Sequence, residues 1–322
     1  MENAVDIFAP RFQSEDAARE HLEGIHWPHG PECPHCGSGD AKRLPPQKGR
    51  KTKAHPEGVL RKGVVQCNNC RKQYTVTVGT VFERSKVPLN KWLLATHLLC
   101  SSKKGISGHQ MGRMLGVTYK TAWFMMHRIR EAMVDTDNKP IGGFGKFVEA
   151  DETYIGGKVS NKHMVKRTKR GPRLDEKQPV VSLVERDGKV KSFHVANVNA
   201  NTLRHALVTN VDRYSYLMTD EHSGYKTVGK EFGKHGVVVH SRGEYARGKA
   251  HTNTVENFFS ILKRGITGVY HHVSEQHLRR YVTEFDFRYN TRKQTDFERT
   301  DEALKGIAGK RLTYRRAGAV PA

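Results

Sequence analysis

Four of the five cysteines in this 322-residue chain fall into two C-x-x-C pairs. They are Cys33/Cys36 in CPHC and Cys67/Cys70 in CNNC, with 30 residues between the pairs. A C-x-x-C turn aims two thiolates at one tetrahedral ion, and two such knuckles complete a structural Zn²⁺ site. A redox pair would need a βαβ context, which the flanking sequence does not offer. The separation exceeds the usual 15–20 or so residues of such a site. The excess is AKRLPPQKGRKTKAHPEG, rich in Pro, Gly and base, with Lys42, Arg43, Lys48, Arg50, Lys51 and Lys53 forming a basic finger suited to phosphate. Tyr74, Val76, Val78 and Val81 read as ribbon strands. Ahead of the first knuckle, SEDAAREHLEGIHWP has a Ser cap and helical spacing at Ala17, Leu22 and Ile25. Cys100, inside WLLATHLLC, reads as a core thiol.

Charge narrows the partner. Lys and Arg number 55 against 33 Asp and Glu, a net +22, and a folded chain so basic points to a polyanion, DNA or RNA. No apolar run of about 18 residues is present, so no membrane span is expected. The N-terminus lacks the apolar stretch of a secretory signal, and an intracellular setting is expected. Zinc rather than disulfide pairing suits that setting.

Residues 88–133 are the most helical stretch. PLNKWLLATHLLCSS opens with Pro88 near a helix start and ends at a Lys-Lys-Gly turn. A short helix at about 107–115 then meets Gly116-Val117, and Thr118 can cap a longer helix to Met133. A helix, a short Gly-containing turn and a longer helix with a polar start form the helix-turn-helix pattern. Tyr119, Lys120 and Thr121 would face a DNA groove, and Trp123, Met126 and Ile129 the core. VDTDNKPIGG then breaks the helix. The expected layout is an N-terminal helix and ribbon over 1–82, a helix-turn-helix segment over 83–138, an α/β domain over 139–293 and a basic tail over 294–322.

From about residue 144 the pattern turns to strands. GKFVEADETYIGGK reads as a strand carrying Asp151 and Glu152. Adjacent acids inside a strand are costly unless charge is wanted there. PVVSLVERDGKVKSFHVANV reads as two strands around the turn Arg186-Asp187-Gly188. TLRHALVTNV is a short helix, SYLMTDEHSGY a strand ending at Asp220, VVVHSR a fifth strand, and HTNTVENFFSILKRGI a helix with Glu256 and Lys263. That order is the order of an RNase H-like mixed α/β sheet with flanking helices. Acids at two strand ends and on a following helix can converge on one sheet edge. Three carboxylates there suffice for two Mg²⁺ (or Mn²⁺) ions, which prefer hard oxygen ligands and retain waters. Glu152 and Glu221 read as neighbours facing the other side of their strands. The insertion GGKVSNKHMVKRTKRGPRLDEKQP is strongly basic and reads as a loop that orders on DNA.

These blocks carry a resemblance. The 35 residues between Asp220 and Glu256 resemble the arrangement of DDE transposases and retroviral integrases. VEADETYIGGK, LMTDEHSGYKTV and the stretch from HTNTVENFFSILKRG to FRYNTRK resemble ISXO-like bacterial insertion-sequence transposases, which also begin with a zinc ribbon and a helical DNA-binding segment. The resemblance spans roughly residues 15–295. It implies catalytic metal ligands at Asp151, Asp220 and Glu256. The family's third position is often described as Asn, and Asn253 is the alternative on the same helix. It implies that Lys263, two helical turns after Glu256, touches the DNA terminus, with Arg264 beside it as a further DNA contact. The implied activity is binding of terminal inverted repeats, cleavage of 3′ ends and their transfer to target DNA. The implied partners are double-stranded DNA and a second copy of the chain, as a homodimer or higher oligomer, in a cytoplasmic, nucleoid-associated setting. Two rivals stay open: a zinc-ribbon and helix-turn-helix regulator with an inactive C-terminal domain, and an RNase H-fold resolvase or nuclease.

Overall fold

The computed structural model describes residues 7–49, 51, 53, 56–157, 177–244 and 246–313. Arg50 and most of the basic insertion after Gly157 lie outside the described residues, as does the chain after residue 313. The chain divides into two compact units. One comprises residues 1–102, 106–133 and 294–322, and the other 103–105 and 134–293.

In the first unit, a helical turn α1 (Pro10–Gln13) leads into α2 (Glu15–His26). Ser14 caps α2 by accepting from the Ala17 N–H, and Glu15 and Asp16 place negative charge against the positive end of the helix dipole. The ribbon follows as β1 (Ala41–Arg43), the short pair β2 (Gln47–Lys48) and β3 (Leu60–Arg61), β4 (Val65–Cys67) and β5 (Gln73–Tyr74). β1, β4 and β5 form an antiparallel sheet, and β2 pairs with β3 across the long inter-knuckle loop. Arg43, expected in the phosphate-contacting finger, instead donates to the buried Glu23 at 2.8 Å.

One expectation fails here. Val76, Val78 and Val81 lie in successive turns, not in strands. The alternation of TVTV mimics a strand, but the threonines close the backbone on itself. Val78 N–H donates to Thr75 O at 3.0 Å, Thr80 Oγ1 donates to Thr77 O at 2.7 Å, and Gly79 takes φ +74°. Local side-chain bonds of this kind compete with a ladder. Val76 and Val81 are nevertheless buried.

Helices α3 (Leu89–Ser101), α4 (Gly108–Leu115) and α5 (Tyr119–Ala132) follow. Cys100 is buried in α3. Between α4 and α5, Gly116 takes the left-handed φ of +62° that a helix stop needs. Thr118 Oγ1 then accepts from the Thr121 N–H at 3.3 Å. A Cβ at Gly112 would lie 3.0 Å from Val117 O, so a small residue lets the turn close onto α4. Met126 and Ile129 are buried, and Trp123 lies half-buried with its ring edge against His127.

The second unit is a five-stranded sheet: β6 (Phe147–Ile155), β7 (Gln178–Glu185), β8 (Val190–His194), β9 (Tyr216–Thr219) and β10 (Lys234–Val237), in the order β10-β9-β6-β7-β8. β6, β7 and β8 run antiparallel in sequence, while β9 and β10 run parallel to β6. The fifth strand begins before VVVHSR, and His240–Arg242 form a 3-10 turn instead. The edge strand pairs where β9 offers a partner, over Tyr216–Thr219, and closes with the Val238 N–H donating to Thr219 O at 3.0 Å, so the chain beyond it turns away. Strand order and direction are those of the RNase H-like fold.

Helix α6 (Ala200–Asn210) and the turn α7 (Tyr225–Val228) cover one face. They pack on Val148, Ala150, Val181, Leu183 and Leu217. Helices α8 (Asn253–Gly265) and α9 (Glu275–Asn290) cover the other, with Val255, Phe258, Leu262, Val282 and Phe285 packed on Ile155, Val180 and Val184. Even-numbered β6 residues therefore face α6 and α7, and odd-numbered ones face α8, as the pleat requires. Asp286 on α9 accepts from Ser192 N and Oγ at 2.8 and 2.7 Å and pins α9 to β8.

The expected C-terminal tail is corrected as well. Residues Asp296–Lys305 form α10, opened by a capping box between Thr295 and Glu298. This helix belongs to the first unit, where Thr300 bonds His97 at 3.0 Å and Phe297 stacks on the same ring. Its Ala303 and Leu304, with Ile307 just beyond its end, are core, while the bases that colour the region lie mostly after the helix.

Candidate active site and zinc centre

The four knuckle cysteines converge. Their sulfurs all lie within 4.8 Å of one another, with Cys33 and Cys70 at 3.7 Å and Cys36 and Cys67 at 3.6 Å. A Zn–S bond of about 2.3 Å in a tetrahedron gives sulfur–sulfur edges of about 3.8 Å, so the donor set fits one Zn²⁺. The Cys70 N–H donates to Cys67 Sγ at 3.5 Å and lowers that thiol, while its neighbour Cys36 is raised, so without an ion the pair shares a proton that a bound metal would displace. Val65, Tyr74 and the edge-on Trp27 shield the cluster.

The acids assemble differently. β9 pairs with β6 in parallel register, ending at Glu149 opposite Met218. Two residues beyond that pair, the same register sets Asp151 level with Asp220; Asp220 follows the end of β9 as expected, but Asp151 lies midway along β6 and not at its end. Asp151 faces the α8 side and accepts from the Glu152 N–H at 2.7 Å. Burial pushes its carboxyl up to about 8, opposed by that N–H and reinforced by the charges of Glu152, Asp220 and Glu256. The three predicted ligands thus share one electrostatic neighbourhood. Asp220 accepts from the His222 N–H at 3.0 Å. Glu256, in the first turn of α8, accepts from Thr252 Oγ1 at 2.8 Å and lies 3.5 Å from His240 Nε2. The alternative Asn253 is exposed at the start of the same helix. Among the described residues, only the cysteines form a metal-sized group of closely spaced ligand atoms. The carboxylates are mutually repelling, partly wet and open, as expected of hard-oxygen ligands that would leave room for water and substrate.

Glu152 points to the opposite face, where it accepts from Tyr225 Oη at 2.7 Å. Glu221 accepts from the Ser241 N–H at 3.0 Å. Lys263 and Arg264 are exposed at the C-terminal end of α8. With Lys104, Thr267, Gly268 and Val269 they line an open cavity of about 610 Å³. Lys263 stands about 10 Å along the helix from Glu256 at about 1.5 Å per residue. In the first unit, Tyr119 and Lys120 are exposed at the start of α5, and Thr121 is half-buried, its hydroxyl bonded to Thr118. Tyr119 stacks on His109 at 4.2 Å, which fixes the ring at the helix entry. Lys51 and Lys53 are exposed.

Glu149 was missed in the sequence. It is fully buried two residues before Asp151, holds the start of α8 through three hydrogen bonds and accepts a fourth from Arg186. The signal was its period-two spacing from Asp151, which places two acids on one strand face. The adjacent Asp151-Glu152 pair drew attention instead.

A zinc ribbon, two helices joined at Gly116 and an RNase H-like sheet with acids on neighbouring strands are the parts of a DDE-type DNA transposase, and the family models match them. Residues 142–290 match the family described as the ISXO2-like transposase domain, and residues 13–73 match the transposase zinc-ribbon domain. The chain thus carries an ISXO2-like transposase domain preceded by a transposase zinc ribbon. It is 28% identical over 319 residues to an uncharacterized protein in transposable element ISH50 of Halobacterium salinarum, covering 92% of this chain and 96% of that one. It is also 28% identical over 172 residues to the male abnormal protein mab-31 of Caenorhabditis elegans, covering 48% of this chain and 39% of that protein. Among solved structures, a Mos1 transposase paired-end complex with the left transposon end is similar at 12% identity and a TM-score of 0.28, over 67% of this chain and 74% of that one.

Proposed function

We propose that this chain cleaves the 3′ ends of its own element and joins them to target DNA. The supporting observation is the shared level of Asp151 and Asp220 on adjacent parallel strands, with Glu256 within electrostatic range on the covering helix. The chemistry of this donor set suits divalent cations, since two bound Mg²⁺ or Mn²⁺ would neutralise the clustered charge and supply the polarisation that phosphoryl transfer requires. Asp151, Asp220 and Glu256 would hold them. Lys263 and Arg264 would seat the phosphates next to the cut, and Tyr119, Lys120 and Thr121 would enter the groove of the terminal repeat, with Lys51 and Lys53 on its backbone. No side chain is assigned as a covalent nucleophile. Two ends must meet before transfer, so the working form would be a dimer or larger assembly.

The test starts from the DNA flanking the gene. Short inverted repeats there supply a duplex for cleavage with Mg²⁺. Sequence-specific 3′-end cleavage lost in Asp151→Asn, Asp220→Asn and Glu256→Gln, with duplex binding retained, is the expected result. Full cleavage by Glu256→Gln moves the third role to Asn253. Specific binding without metal-dependent cleavage by the wild type favours a regulator, and cutting of branched DNA regardless of end sequence favours a resolvase.

A further inference from the structure

The start of α8 is not capped by its own loop. The residue before the helix, Thr252, donates its hydroxyl to Glu256 Oε1 at 2.8 Å instead of accepting from a helix N–H. The first amides of a helix have no partner within it and need one from elsewhere. Here they find it on the strand below. Glu149 Oε2 accepts from the N–H groups of Thr254 and Val255 at 2.7 and 3.0 Å. Its Oε1 accepts from Thr254 Oγ1 at 2.9 Å and Arg186 Nε at 2.6 Å, and His251 Nδ1 lies 3.2 Å away. Arg186, in the β7–β8 turn, also donates to the carbonyls of Lys249 and His251 at 2.9 and 3.0 Å, so it holds the loop that enters the helix.

A fully buried carboxylate is tolerated only when its lone pairs are occupied, and this one is surrounded by donors. Its place in the chain gives the arrangement meaning. Glu149 is two residues from Asp151 on the same strand face, and the Val255 amide it holds is one residue from Glu256. One side chain therefore fixes the separation of two acids that come from different elements and repel each other.

We infer that Glu149 is a positioning residue that sets the Glu256 carboxylate against Asp151, with Arg186 as its second anchor. The inference rests on the reading of Asp151, Asp220 and Glu256 as the cation-holding set. Outer partners that orient metal ligands cost about 10-fold to 100-fold in metal affinity or activity when altered. Glu149→Gln keeps the shape but replaces one acceptor oxygen with an NH₂ group facing donors.

The experiment uses the full zinc-loaded chain and titrates Mn²⁺ by calorimetry, beside end cleavage over a Mn²⁺ series and duplex binding by anisotropy. Glu149→Gln is expected to weaken Mn²⁺ binding by about 10-fold or more and to lose cleavage at low Mn²⁺, with partial recovery at high Mn²⁺ and unchanged duplex binding. Thr254→Val, which removes a single hydroxyl donor to Glu149, should shift Mn²⁺ binding the same way by about fivefold. If Glu149→Gln does not fold, Thr254→Val decides. Wild-type Mn²⁺ affinity in the folded variant, whatever its thermal stability, overturns the positioning role. Asp151→Asn separates the two failures. If it abolishes Mn²⁺ binding while Glu149→Gln does not, only the positioning role falls. If the wild type has no Mn²⁺ site that Asp151→Asn removes, the reading of the acids falls and takes this inference with it.

Discussion

The two candidate metal centres of this chain are built by opposite rules. The cysteine centre draws its ligands from two local turns, and its sulfurs already stand at tetrahedral distances. The carboxylate centre draws its ligands from two strands and a helix, and its members push one another toward the protonated form. The first closes on an ion and contributes to folding. The second keeps its ligands apart, half-buried at Asp151 and exposed at Glu256. Closed thiolate sites suit structure, and open carboxylate sites suit chemistry that must admit a substrate.

The largest effect that sharpens this contrast is loss of zinc. Cys33→Ser or Cys67→Ser should release the ion and unfold the ribbon, because a structural zinc contributes on the order of 10 kcal/mol. Zinc content by metal analysis should fall to near zero, while Mn²⁺ binding by the sheet persists. Mutant zinc equal to wild type would break the comparison at its first term. Next, Asp151→Asn or Asp220→Asn should lower end cleavage on the order of a thousandfold, several kcal/mol of transition-state stabilisation, with zinc content unchanged.

A smaller effect concerns stability and carries a definite sign. The Asp151 carboxyl rises from 3.8 to about 8 on folding. Between those values the folded chain binds the extra proton, so its stability falls as pH rises and stays low above about 8. Without added divalent cation, Asp151→Asn should therefore melt about 4 °C higher than wild type at pH 8.5 and no higher near pH 4. Chelators must be left out so that the knuckles keep their zinc. A variant less stable than wild type at high pH would show that Asp151 is not held against its charge. The smallest effect lies at the far end of α8. Lys263→Ala and Arg264→Ala should each lower the salt dependence of DNA binding by about one counterion, measured from anisotropy at several ionic strengths.

Legibility in the sequence followed the range of the interaction. The knuckles, the Thr118 cap, the Gly116 stop and most of the succession of strands and helices were readable because each is set within a few residues. The level of Asp220 with Asp151 takes the register of β9 on β6 to display it, because Asp151 lies within its strand and not at the expected strand end. The turns at Val76 to Val81 were misread because threonine side chains bond locally where the alternation resembles a strand. The fifth strand was displaced because its neighbour, not its own valines, decides where pairing ends. Glu149 and α10 escaped for a common reason: their partners lie 105 and about 200 residues away in the chain.

That last distance bears on how the protein is made. Helix α10 belongs to the first unit although it follows the whole of the second. His97 waits for Thr300, and the buried Leu304 has no earlier substitute. On the ribosome the first unit must stay unfinished while the sheet is synthesised. A fragment stopped at residue 138 would expose the seam that α10 covers, so the first unit is expected to need the far end of the message as much as its own beginning.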